Sequence, residues 1–182
     1  MPRILPNPTP DTKAQELLAG VKNMLGSTPN LFTTLAHSAA SLDFFVKAMG
    51  ALGGSRLSGA LREQIAIAVA GANGCDYCAS AHEFLGGLNG VEKGELERNL
   101  HAQASDPKVA AALNFAVKIV TKRGRVSDND LQEIRAVGYS EGEIVDIVTV
   151  TCLHIFTNYF SHVADTEIDF PKVSTAEVKK AA

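Results

Sequence analysis

Tryptophan is missing from this 182-residue sequence, aromatic residues make up 6% of it, and its apolar stretches are short or carry charges such as Asp146. A membrane-spanning helix needs about 20 predominantly apolar residues, so a membrane protein is not expected. Basic blocks are scarce too. With 17 Lys and Arg against 20 Asp and Glu, and no cluster beyond TKRGR (121–125), no face for phosphate is legible, and nucleic acid is not an expected partner. That cluster reads as a helix C-terminus, where cations offset the macrodipole. The opening MPRILPNPTPDTK holds no apolar run of signal-peptide length, and a cytoplasmic location is expected. Three cysteines, two in C-x-x-C spacing, point to redox or metal chemistry more than to a disulfide framework. Alternating apolar and polar residues joined by turn pairs are also missing, so the fold class is expected to be all-α.

What is present is helix after helix. Pro2, Pro6, Pro8 and Pro10 make residues 1–10 an extended arm, after which Asp11 or Thr12 caps a pattern running through Leu17, Leu18, Val21 and Leu25. TPNLFTTLAHS places Pro29 at a first helical position, and SLDFFVKAMGAL repeats apolar residues until Gly53-Gly54 stops it. Ser58 caps a helix reaching Asn73-Gly74, another runs from Cys75 to about Leu88, and a short one surrounds EKGELERNL. Asp106 and Pro107 open a further helix, and SDND and SEGE are capping boxes at Ser127 and Ser140. The length suits one domain, expected over 11–171, followed by a tail over 172–182 that frays or forms a short surface helix.

Chemistry concentrates in EQIAIAVAGANGCDYCASAHEFLG, residues 63–86, where a carboxylate, two thiols and an imidazole interrupt an apolar stretch. Such groups are costly or reactive to bury without partners. At ~100° per residue Cys75, Cys78 and His82 fall within an arc of about 60° on one helix face. The preceding helix is apolar nearly all round, so Glu63 belongs in or against the core. If Asn73-Gly74 turns the chain into an antiparallel hairpin, a rise of ~1.5 Å per residue sets Cys78 about 4.5 Å, His82 about 10.5 Å and Glu63 roughly 16 Å from the turn. Glu63 can then orient His82 directly or through one water, and His82 can take the proton of Cys78. Cys75 stands one turn away to close a disulfide, a layout that suits a thiol peroxidase. The helix dipole favours Cys75 as the reactive thiolate and the His82 pairing favours Cys78; a base that also supplies a proton to the leaving oxygen decides for Cys78.

The pattern E-x11-C-x2-C-x3-H resembles the core motif of the AhpD-like alkylhydroperoxidases of the carboxymuconolactone decarboxylase superfamily, and FTNYFSHVADTEIDFP is similar to its peroxidase-related branch. The resemblance covers roughly residues 30–171. It implies a helical bundle with a central hairpin carrying the C-x-x-C site, homo-oligomers (trimers or hexamers), and reduction of organic hydroperoxides or hydrogen peroxide. It also implies a peroxidatic Cys78, a resolving Cys75, a Glu63 and His82 proton relay, and an external dithiol reductant, lipoyl or thioredoxin-like. Members carry a second histidine immediately before the second cysteine; here that position is Tyr77.

Rival readings are a ring-lactone decarboxylase, which has no evident use for paired thiols, and a non-enzymatic redox or zinc-binding protein. Structural zinc sites usually draw on two well-separated ligand pairs, so neither metal nor cofactor is expected. Tyr77 reads as a wall of the site or a core residue, Cys152 as a small core residue, and His37, His101 and His154 as histidines without a functional partner.

Overall fold

The computed structural model describes residues 1–178; the last four residues of the expected tail lie outside them. Among the described residues all regular structure is helical, in nine α-helices. The chain falls into two compact units, Met1–Gly54 with Phe160–Asp169, and Ser55–Tyr159 with the segment from Phe170 onward.

In the first unit α1 (Thr12–Leu25), α2 (Asn30–Leu35) and α3 (Ala39–Leu52) pack on one another around Val21, Leu31, Phe32, Leu42 and Phe45. Asp11 caps α1 through the Ala14 N–H. Pro29 is the N-cap of α2 rather than its first helical residue, and α3 starts at Ala39 under a Ser38 cap, ahead of the expected SLDFF start. The proline-rich residues 1–10 form no helix; Arg3 and Ile4 N–H groups donate to the Ala164 carbonyl at 2.8 and 3.0 Å, and Asn7 N–H donates to Thr33.

The second unit is built around α4 (Gly59–Asn73), against which α5 (Asp76–Leu88), α6 (Lys93–Asn99) and α7 (Pro107–Thr121) all pack. Every residue from Gln64 to Gly71 is buried, as a helix without a polar face requires. Gly71 is indispensable to that arrangement, because a Cβ there would run into the Leu100 carbonyl. Ser58, Asp106 and Ser127 each accept first-turn N–H groups, of α4, α7 and α8 (Asp128–Ala136). Ser140 and Glu143 exchange hydrogen bonds at the start of α9 (Glu141–Ala164).

By length and composition α9 is apolar and long enough to cross a membrane, even with Asp146 in its first half, contrary to the expectation from its charges. Within the second unit its apolar side is spent on the core through Ile144, Ile147, Val150 and Leu153. Cys152 is exposed, a correction to its reading as a core residue: its position on α9 falls outside the buried stripe.

Candidate functional site on the α4–α5 hairpin

Gly74 takes φ +70°, a left-handed conformation that glycine adopts without a Cβ penalty, and the chain reverses there. The Cys75 N–H closes the turn on the Ala70 carbonyl at 2.9 Å. Cys75 is therefore the N-cap of α5, which begins at Asp76, one position after the expected start at Cys75, and the Cys75 Sγ accepts the Cys78 N–H at 3.3 Å. Both cysteines are buried, at 1% and 2% exposure. An N-cap sulfur faces the unpaired N–H groups of the first turn, where negative charge is favoured.

Glu63 and His82 meet directly. The Nδ1 to Oε2 separation is 2.7 Å, with side chains 20% and 12% exposed respectively. A carboxylate can only accept, so Nδ1 carries the proton and Nε2 is left for chemistry. Burial by itself would lower the His82 pKa, but the Glu63 hydrogen bond, the Glu63 charge and the Cys78 charge outweigh it, and His82 titrates above 6.5.

The four predicted groups thus lie along one hairpin, and α9 adds His154, which the sequence leaves without a functional partner, and Asn158, which the sequence places with His162 on one face of the last long helix without assigning it a role. The His154 ring stands edge-on to His82, centroids 4.5 Å apart at 82°. Burial and the charge of His82 push its pKa well below 6.5, so it is neutral at neutral pH. One turn on, fully buried Asn158 accepts a 2.8 Å bond from Asn73 Nδ2, at the end of α4. The available signal was the i, i+4 spacing of two polar side chains on an otherwise apolar helix.

The opposite face of α5 is anchored rather than reactive. Asp76 Oδ1 accepts the Thr175 N–H and hydroxyl at 2.8 and 2.6 Å, and Ser80 Oγ accepts the Val173 N–H at 2.9 Å. Tyr77 is buried edge-to-face against Phe170, as a wall residue would be. A pocket of about 250 Å³ on this side is lined by Ser80, Glu83, Phe84, Lys93, Leu96 and Pro171 among others, and by neither cysteine. Among the described residues no group of three or more His, Cys, Asp or Glu side chains is disposed to hold a metal ion.

Residues 39–122, which contain Glu63, Cys75, Cys78 and His82, match the carboxymuconolactone decarboxylase family. The fold is AhpD-like. A peroxidase-related protein from Ralstonia eutropha JMP134, described as an alkylhydroperoxidase AhpD core, superposes with a TM-score of 0.82 at 24% identity, over 91% of this chain and 93% of that one. A peroxidase-related protein from Silicibacter sp. TM1040 gives 0.80 at 24% identity, over 91% and 92%. The debrominase Bmp8 gives 0.79 at 21% identity, over 92% of each chain. At these identities the likeness is one of fold. Among curated proteins there is no match.

Proposed function

We propose that this AhpD-like protein is a cytoplasmic thiol peroxidase that reduces organic hydroperoxides or hydrogen peroxide through Cys78 and Cys75. The observation that carries the reading is the 2.7 Å Glu63 to His82 contact, which fixes the imidazole four residues beyond Cys78 with Nε2 available. The Cys78 thiolate attacks the terminal peroxide oxygen; an S–O bond forms, the O–O bond breaks, and the departing alkoxide takes a proton from the His82 imidazolium. Cys75 then displaces hydroxide from the sulfenic acid, giving a disulfide and water. Its N-cap position stabilises the charge that Cys75 carries as attacker and, later, as leaving group. An external dithiol, lipoyl or thioredoxin-like, returns the two electrons. Assembly into homo-oligomers would cover Val145, Val148 and Tyr159, which are exposed on α9.

The test is a thiol titration after one equivalent of cumene hydroperoxide. Two of the three thiols of the reduced protein disappear with the peroxide, Cys78→Ser abolishes turnover, and Cys75→Ser stops at an oxidised Cys78 that a sulfenic acid probe traps. Persistence of all three thiols alongside the peroxide overturns the reading. A carboxymuconolactone-type decarboxylase could use Glu63 and His82 as acid and base but leaves the paired sulfurs idle, and ultraviolet assay of the lactone separates the two.

A further inference from the structure

The α4–α5 hairpin accounts for one side of the site; α9 supplies another, where two polar atoms lack a partner. Asn158 is fully buried and uses Oδ1 on Asn73, yet its Nδ2 has no acceptor. His154, one turn away, has a buried Nδ1 with no partner, although the residue as a whole is only half-buried. A buried amide donor without an acceptor is costly, and each such group in a native structure calls for a partner, whether ordered water or ligand.

Their placement says where that ligand sits. Asn158 is tied to Asn73, two residues before Cys75, and His154 stands against His82, four residues after Cys78. The turn of α9 between them is therefore pinned at one end beside the Asn73-Gly74 turn that precedes Cys75 and at the other beside His82. The partners these atoms lack are an acceptor for an N–H and a donor for a ring nitrogen. A hydroperoxide head group, R–O–O–H, offers both: lone pairs on the oxygen bonded to R, and a hydrogen on the terminal oxygen.

Building on the peroxidase reading, we propose that His154 and Asn158 form the binding wall for the hydroperoxide, Asn158 donating from Nδ2 to the oxygen that leaves and His154 accepting the peroxide O–H at Nδ1. The bond from Asn158 strengthens as the O–O bond breaks and charge builds on the departing oxygen, so it favours the transition state over the bound substrate. The proton that completes the alcohol still comes from His82, and the peroxide hydrogen stays with the sulfenic acid. The division of labour follows from charge. His82 pairs with Glu63 and holds a proton, whereas His154 beside it is neutral and can accept.

The experiment compares two reactions of Cys78 in the full-length reduced protein: oxidation by cumene hydroperoxide, and alkylation by iodoacetamide across pH, which reads the thiolate without needing the wall. His154→Phe keeps a ring against His82 and deletes both nitrogens; Asn158→Asp keeps the acceptor for Asn73 and deletes the donor. Each is expected to slow peroxide oxidation about tenfold, and in His154→Phe, which adds no charge, the alkylation profile stays as in wild type. His154→Asn, which returns an acceptor near the Nδ1 position, is expected to recover most of the loss, and the pair of His154 variants decides the matter if Asn158→Asp does not fold. Variants that react with peroxide as fast as wild type overturn the proposal, and so does a loss of alkylation in His154→Phe matching its loss of peroxide reactivity, since the residue would then act on the thiol. A wild type that alkylates but ignores peroxide overturns the peroxidase reading itself, and this wall with it.

Discussion

Replacing Glu63 with glutamine keeps the shape of the side chain and an oxygen to accept the His82 Nδ1–H, but removes the charge. A hydrogen bond to an ionised partner is worth about 1.5–3 kcal/mol against about 0.5–1.5 for a neutral one, so about 1 kcal/mol is lost. At about 1.4 kcal/mol per unit, the His82 midpoint falls by close to one pH unit. In the wild type that midpoint lies above 6.5, so the native state holds the proton more tightly than the unfolded chain. The resulting stability is fully present below the unfolded value and fades as pH rises through the native one. In Glu63→Gln burial is opposed chiefly by Cys78 and the weaker hydrogen bond, and the acid-side advantage disappears. Thermal melts should therefore show the variant about 2–4 °C below wild type at about pH 5.5, with the gap narrowing at about pH 9 as the imidazole loses its proton in both proteins. The imidazole-dependent limb of peroxide reactivity should move to lower pH by the same unit. A Tm gap of equal size at both pH values would refute the charged pair, because a purely steric or neutral contact does not depend on the His82 proton.

Three further outcomes follow from the packing. Gly71→Ala drives a Cβ into the Leu100 carbonyl, backbone that cannot rotate aside, and should cost about 1–3 kcal/mol in a denaturant melt. Asp76→Ala removes both acceptor bonds to Thr175 and should speed amide exchange at Val173 and Thr175 before any global loss of structure; unchanged exchange would show that the segment is held by Phe170 instead. A bulky maleimide applied to the folded, reduced protein should label exposed Cys152 well before buried Cys75 and Cys78, a result that peptide mass mapping reads directly.

Much of this protein was legible in one dimension. Helix ends were readable because capping is local: Ser58, Asp106, Ser127 and Ser140 each satisfy N–H groups within three residues of themselves. The α4–α5 hairpin was readable for the same reason. The stretch from Glu63 to His82 is contiguous, so helical rise and a glycine turn suffice to order its groups along the hairpin. Where several caps compete, local rules slipped by a residue or two, as at Pro29 and Cys75.

What tertiary structure alone decided is everything joined across long separations. Whether Glu63 reaches His82 directly or through water depends on how closely α4 and α5 approach, and the approach gives 2.7 Å. That His154 stands edge-on to His82, 72 positions earlier in the chain, and that Asn158 bonds to Asn73 depend on where α9 lies, which no local pattern encodes. Cys152 shows the same dependence in reverse: an apolar run marks α9 as a core helix, but only the packing of its neighbours selects which side of it meets solvent. Local hydrogen bonds are written by neighbouring residues; the contacts that assemble the site are written by shape and burial across the whole fold.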